Sequence, residues 1–287
     1  MRKTLTLAAA LLSSIALFAQ PQAPQGGFPG GFPQGAPNAQ RPQNAPRQAA
    51  VVPGQTPTSP KFEEYFEPVS TAFATPDEDG FIRRWVILEP IAKPNRSNTV
   101  FTDSYLREAF AKQYFKGQLS DVLPKDGKKE KVEVDVTPAP MGWVMPGQTV
   151  QQPEPKFEKR KLQWHAVDSK LFNVKLFRFA AGLQKDVYGV IFYMATVIEC
   201  EEDIPNVRLA VGSNAGSMWW LNGEEALIMS SDRRMVMDDC MSGRITLKKG
   251  RNVLWGGIIN GPGMSDACVR FVDESGNPVK NLKIYSK

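Results

Sequence analysis

Residues 207–223 read VRLAVGSNAGSMWWLNG and contain the clearest structural signal in the chain. Apolar Leu209 and Val211 are two positions apart, which is the period of a half-buried strand. Small and polar residues at 212–217 then provide a turn, and a second strand, MWWL, follows. That strand ends at Asn222-Gly223, the dipeptide that most readily adopts the positive φ angles of a type I′ turn. The stretch therefore predicts a β-hairpin ending in a tight turn.

Short apolar segments separated by turn residues recur along the rest of the chain. The segment at 187–198, VYGVIFYMATVI, is apolar on both faces and predicts a strand that is covered on both sides. A helix with an apolar stripe of Leu106, Phe110 and Tyr114 is predicted from residue 103 to about Gly117. Further strands are predicted at 81–91, 162–167, 171–179, 245–247, 253–259, 268–272 and 282–285. This spacing indicates an all-β sandwich with one short helix.

The hairpin also resembles a known family. LAVGSNAGSMWWLNGEEAL at 209–227 is similar to the segment lgSddGvkvWlNGkev of the galactose-binding-like β-sandwich regions in secreted bacterial carbohydrate-active enzymes and acetylxylan-esterase-type proteins. RRWVILEPI, ITLKKGRNVLWGGIING and VRFVDESGNPVKNLKIY look like further strands of such modules. The resemblance covers most of residues 60–287 and implies a galactose-binding-like jelly-roll β-sandwich. One departure is Asn214-Ala215, which replaces an acidic pair and argues against a carboxylate-dependent ligand or calcium role for this loop.

The first 60 residues differ in composition from the rest. Residues 1–19 combine Arg2 and Lys3, an apolar run and a small residue at the end, which predicts a secretory signal peptide. A helix needs about 20 apolar residues to cross a bilayer, and this apolar run is shorter. No transmembrane span is therefore expected after cleavage of the signal peptide. Residues 20–60 are rich in Pro, Gln, Gly and Ala and predict a disordered tether. The expected location is secreted or periplasmic, and association with the cell surface is left open.

The expected folded domain spans residues 61–287 and contains a long insertion loop at 124–158. A charged run is followed there by PAPMGWVMPGQTVQQPEP, which has no sustained hydrophobic period. Trp143 lies in this loop. Two roles stay open for it, namely stacking on a sugar or partner and pinning the loop to the domain.

The distribution of charge argues against nucleic acid as a partner. The formal net charge is +5, but four of the 35 basic residues and none of the 30 acidic residues precede residue 61. The folded part therefore has 31 basic and 30 acidic residues. It lacks the one-sided basic excess that binds phosphate backbones.

Cysteine and histidine usage argues against a zinc site. Cys200, Cys240 and Cys268 allow at most one disulfide, and each is also typical of a small buried apolar residue. His165 is the only histidine, so the usual Cys/His ligand sets cannot form. No metal and no cofactor are predicted; a structural calcium ion stays open as an alternative that no motif supports.

No catalytic residue is predicted. The nucleophile elbow G-x-S-x-G is absent, and the nearest variant, at 263–267, follows a glycine-rich hairpin and does not precede a helix. The carboxylate pairs at 201–202, 224–225 and 238–239 are expected to be solvated, because neighbours on a strand point to opposite faces. A secreted esterase or glycoside hydrolase is the alternative, with a site where the Asn214 loop, residues 232–234 and residues 261–263 converge.

The leading prediction is an exported, non-catalytic module that binds carbohydrate or assists a carbohydrate-active partner protein. Aromatic faces and planar polar side chains hold sugars, so the predicted ligand-binding residues are Trp219, Asn214, Asn222, Trp143 and Asp232. Trp219 is expected to face solvent, because Trp220 matches the core tryptophan of the family segment. A structural or envelope-interaction protein is the second alternative.

Overall fold

The structure is a computed structural model of the 287-residue chain. It describes residues 61–93, 101–111, 123–137, 154–214, 216–231, 233–259 and 264–287. All of these belong to one compact unit, Thr56–Lys287. The predicted signal peptide and tether at 1–60 lie outside the described residues. None of the helices in the described ranges has the length and apolar character needed to cross a membrane.

The described residues contain fourteen strands, two α-helices and a 3-10 turn at Phe62–Glu64. The helices are α1 (Asp103–Ala111) and α2 (Leu176–Gly182). The strands are β1 (Phe66–Pro68), β2 (Arg84–Leu88), β3 (Ile91–Ala92), β4 (Lys129–Asp135), β5 (Phe157–Ser169), β6 (Val190–Cys200), β7 (Ile204–Ser213), β8 (Gly216–Leu221), β9 (Glu224–Met229), β10 (Cys240–Met241), β11 (Ile245–Leu247), β12 (Gly250–Ile259), β13 (Ala267–Val272) and β14 (Lys283–Tyr285).

The strands form two antiparallel sheets. The larger sheet has the order β1-β5-β2-β6-β12-β8-β9, and β3 and β14 also pair with β6 while β4 pairs with β5. In the smaller sheet, β7 pairs with β10, β11 and β13. The all-β sandwich predicted from the sequence is confirmed.

Two hydrophobic cores lie on opposite faces of the larger sheet. The first core lies between the two sheets and includes Phe192 of β6 and Phe271 of β13. In the second core, Leu106 of α1 and Val132 of β4 are in the same cluster as Tyr193 of β6. Successive residues of a strand point to opposite faces, so each central strand contributes to both cores. This explains why the segment around β6 is apolar on both faces, as predicted.

The tight turn predicted at Asn222-Gly223 is confirmed. The two residues have φ angles of 53° and 85°, and they join β8 to β9, which pair antiparallel. The predicted hairpin is wrong in its first strand, because β7 lies in the other sheet and does not pair with β8. Residues 207–223 therefore link the two sheets before the chain turns back at Gly223.

The predicted strand at 171–179 is wrong: residues 171–175 form only an isolated bridge, from Val174 to Ala267, and residues 176–179 form the start of α2. Leu176, Phe179 and Ala180 are the buried residues of this helix. Their spacing of three and four positions is that of a helix face, because an α-helix has 3.6 residues per turn. The fold consequently has two described helices where the sequence predicted one. The first, α1, is described to Ala111, and Tyr114 and Gly117 lie outside the described residues.

The predicted insertion loop at 124–158 is wrong in part, because β4 and the start of β5 lie within it. They form a ladder from Lys129 opposite Gln163 to Asp135 opposite Phe157. Only two of the seven β4 residues are apolar, which is why the sequence pattern did not reveal a strand. Residues 138–153 of the predicted loop lie outside the described residues.

Candidate functional site

The two adjacent tryptophans of the predicted binding surface are both buried. Trp219 is 0 % exposed, belongs to the first core and donates a hydrogen bond from Nε1 to Ser217 Oγ at 3.1 Å. The expectation that Trp219 faces solvent is therefore wrong. Trp220 belongs to the second core and packs edge to face on Phe110, with ring centroids 5.7 Å apart. Because both faces of the larger sheet are covered, neither ring is open to a ligand.

The two predicted asparagines use their side chains within the protein. Asn214 Oδ1 accepts a hydrogen bond from the backbone N–H of Asp266 at 3.1 Å. Asn222 Oδ1 accepts one from the backbone N–H of Val253 at 2.8 Å, and its Nδ2 donates to Asn252 Oδ1 at 3.1 Å. These bonds fix a loop and a turn to neighbouring strands. Trp143 and Asp232 lie outside the described residues, so their roles stay predictions.

The residues considered for a hydrolase are involved in separate pairs. His165 Nε2 lies 3.4 Å from Glu89 Oε1, and the histidine ring packs edge to face on Phe179. Glu225 forms a two-pronged ion pair with Arg107, with distances of 2.7 and 3.1 Å. Residues 232 and 261–263 of the proposed convergence point lie outside the described ranges.

The three cysteines are free thiols in the structure. Cys200 and Cys268 are buried, and burial raises the pKa of each thiol to about 11. Within the described ranges, no cluster of three or more His, Cys, Asp or Glu side chains is placed to hold a metal ion.

A cleft that the sequence did not predict opens at the C-terminal end of β6, with a volume of about 530 Å³. Its walls come from a segment before β2, from the β6–β7 turn and from the chain that enters β14. The lining residues are Phe73, Thr75, Glu199, Glu201, Glu202, Lys280, Asn281, Leu282 and Lys283.

Backbone pairing places one wall of the cleft beside another. Ala74 and Ile284 exchange two backbone hydrogen bonds of 2.9 and 2.8 Å. The residues on either side of a bridged pair point to the face opposite that pair. Phe73 and Thr75 therefore share a face with Lys283.

Phe73 supplies an exposed aromatic ring to the cleft. The residue is 42 % exposed, and its ring contacts the Tyr285 ring at a centroid distance of 6.0 Å. Around it, the side chains of Glu199, Glu202 and Asn281 make no hydrogen bond to any described residue. The cleft thus combines an exposed ring, which has Lys283 Nζ 5.9 Å from its centroid, with polar groups that are free to bind a ligand.

The charged residues that line the cleft carry a small negative excess. Glu199 lies directly opposite Lys283 on β14 and Arg251 on β12. Lys283 Nζ is 3.2 Å from Glu201 Oε1, and this carboxylate raises the pKa of Lys283. The cleft lining therefore carries three carboxylates, Glu199, Glu201 and Glu202, and two cations, Lys280 and Lys283. This excess of one negative charge disfavours an anionic ligand and leaves a neutral one unaffected.

Comparison with known proteins gives only distant structural similarities. No protein-family profile and no curated protein matches the chain. A PA14 sugar-binding domain from an RTX adhesin matches with a TM-score of 0.36 and 8 % identity, covering 70 % of this chain and 96 % of the other. The PA14 domain of the antifreeze protein MpAFP matches with a TM-score of 0.36 and 10 % identity, covering 76 % and 96 %. The resemblance to galactose-binding-like modules stays a prediction.

Proposed function

We propose that this protein is a non-catalytic module that binds neutral carbohydrate in the cleft around Phe73. The observation that carries the proposal is the exposed Phe73 ring beside the unbonded side chains of Glu199, Glu202 and Asn281. A sugar ring offers an apolar face to an aromatic side chain, and its hydroxyl groups both donate and accept hydrogen bonds. As part of the same proposal, residues 1–19 direct export and residues 20–60 act as a tether.

The composition of the cleft suits an uncharged sugar. Glu199 and Glu202 accept hydrogen bonds from hydroxyl groups, while the Asn281 amide can donate and accept. Lys283 is already paired with Glu201, so it offers little attraction to an anionic ligand. One stacked ring and a few exposed hydrogen bonds correspond to weak binding, with a Kd of about 1 mM for a single sugar unit.

The decisive experiment measures binding of the whole chain to a panel of neutral polysaccharides by affinity electrophoresis. Phe73→Ala is expected to abolish the retardation seen with the unchanged chain, because it removes the ring face. Tyr188→Ala is the matched control, since Tyr188 is 54 % exposed. It lies before the N-terminal end of β6, about 30 Å along the strand from the cleft.

Three results bear directly on the proposal. Retardation that is lost in Phe73→Ala and kept in Tyr188→Ala supports it. Equal retardation of Phe73→Ala and the unchanged chain would place the binding surface elsewhere. If the unchanged chain is retarded by none of the neutral polysaccharides, the proposed function is wrong.

A further inference from the structure

The first half of β5 and its partner β4 form a two-stranded ribbon with a concentration of lysines on one face. Lys129 pairs with Gln163, and Lys131 pairs directly with Lys161. All three lysines are exposed. Directly paired residues of an antiparallel ladder lie on the same face, so the three ammonium groups share one surface. These three residues are called the lysine ribbon.

The lysine ribbon forms no ion pair with the described parts of the chain, and the next pair on the same face is Glu133 with Lys159. Nearby cations are paired with carboxylates, as in Lys128 with Glu130 at 2.6 Å and Arg160 with Asp186 at 3.6 Å. In contrast, none of Lys129, Lys131 and Lys161 forms an ion pair with any residue that the structure describes.

The cross-strand pair of Lys131 and Lys161 is unfavourable for folding. Directly opposite residues of a ladder have Cα atoms about 4.5 to 5.5 Å apart, and like charges at this position destabilise the sheet. Two lysines in register therefore do not contribute to the stability of the ribbon. A negatively charged ligand would relieve their repulsion.

We propose that the lysine ribbon binds an acidic polysaccharide, that is, a chain bearing carboxylate or sulfate groups. Lys129 and Lys131 are about 7 Å apart along β4, and Lys161 lies beside Lys131, which gives an extended polyanion several contacts in a row. Further along this face, beyond the pair of Glu133 and Lys159, Phe157 lies opposite Asp135, is 53 % exposed and offers a ring to a sugar unit. The lysine ribbon offers three lysines, fewer than the about 6 to 10 phosphate contacts that nucleic-acid-binding proteins make, which favours this ligand over nucleic acid.

The test uses retention of the whole chain on immobilised polygalacturonate, which carries carboxylates, and on heparin, which carries sulfates. Retention is expected at low salt on at least one matrix, with release as salt shortens the screening length below about 10 Å. Lys131→Gln combined with Lys161→Gln is expected to weaken binding about tenfold, as for the loss of two exposed charge contacts. Lys248→Gln combined with Lys249→Gln removes the same charge from another exposed turn and serves as the matched control.

Further outcomes of this experiment distinguish binding of an acidic polysaccharide from other roles of the lysine ribbon. If the control weakens binding as much as the ribbon variant, retention reflects net charge alone and the inference is overturned. Full retention of the ribbon variant, or tighter lysine-dependent binding to a single-stranded oligodeoxynucleotide, would also overturn it. If the lysines only protect a strand edge from pairing with another molecule, the variant is expected to aggregate while its retention stays unchanged. Phe73→Ala should bind polygalacturonate normally, so this inference and the proposed function can fail independently.

Discussion

The indole rings of Trp85 and Trp219 meet edge to face in the first core, with their centroids 6.1 Å apart. Both residues are 0 % exposed. Trp85 lies on β2 and Trp219 on β8, and β6 and β12 separate these strands in the sheet. The pair therefore reaches across the width of the central strands, and Trp219 is a structural residue.

Trp219→Ala is expected to reduce the free energy of unfolding by about 3 to 5 kcal/mol, through lost burial and the cavity that remains. Trp220→Ala should have an effect of similar size, because Trp220 is also buried, in the second core. Urea unfolding of both variants measures these values. A change below about 1 kcal/mol for Trp219→Ala would contradict its position in the core.

Gly256→Ala is expected to destabilise the protein by about 1 to 3 kcal/mol by overpacking. A Cβ atom at Gly256 would lie 2.4 Å from the Trp219 ring, which is opposite it in the β8–β12 ladder. Gly243→Ala is the control, since no atom lies within 4 Å of a Cβ placed there. Thermal unfolding should show a lower Tm for Gly256→Ala and an unchanged Tm for Gly243→Ala. Adding Trp219→Leu to Gly256→Ala should partly restore the Tm, because the smaller side chain leaves room for the Cβ atom.

Gly223→Val is expected to cost about 1 to 3 kcal/mol, because a β-branched residue is strained at a φ angle of 85°. The neighbouring Glu224→Val falls on the extended strand β9 and should be nearly neutral. Chemical denaturation of the two variants makes the comparison. Equal stabilities would show that the turn can change conformation at no cost.

Asp168→Asn is expected to destabilise the protein by about 3 to 5 kcal/mol, because it leaves the Arg84 guanidinium buried without its carboxylate. Arg84 is 1 % exposed and bonds both carboxylate oxygens of Asp168, at 2.8 and 2.7 Å. Arg84→Met in the Asp168→Asn background should recover much of the loss, since it removes the buried charge. A double-mutant cycle by urea unfolding gives the coupling energy, and additive effects would contradict the pairing.

The free energy of unfolding is expected to fall as the pH rises from about 9 through 11, because burial raises the pKa of the Cys200 and Cys268 thiols to about 11 in the folded chain. Unfolded thiols ionise at about pH 9, so between these values the unfolded state loses protons that the folded state keeps. Each thiol contributes up to about 2 to 3 kcal/mol of this fall. Cys200→Ala with Cys268→Ala should make the fall shallower in urea unfolding across this range, and an unchanged slope would refute the assignment.

Local sequence patterns predicted those features that depend on neighbouring residues. Asn222-Gly223 fixed the position of the tight turn through its backbone preferences, and the apolar run around β6 indicated burial on both faces. The direction of Trp219 could not be obtained in this way. Strand alternation states that Trp219 and Trp220 face opposite sides, but only the tertiary structure shows that α1 and β4 cover the second side.

The cleft could not be predicted from the sequence, and the reason is different. Phe73, Glu199 and Asn281 are far apart in the chain and meet only because residue 74 bridges β14, which pairs with β6. None of them belongs to a periodic pattern or a motif. Phe73 could have been noted as an aromatic residue in a segment without hydrophobic period, although that signal does not identify its neighbours.

Strand β5 runs for 13 residues from the lysine ribbon into the larger sheet without interruption. Its first half pairs with β4, and its second half pairs with β1 and β2. Tension applied along the axis of β5 would therefore load the hydrogen bonds to β1 and β2 in shear and would not open them one after another. A polymer that pulls the ribbon in this direction would thus transmit force directly to the centre of the protein.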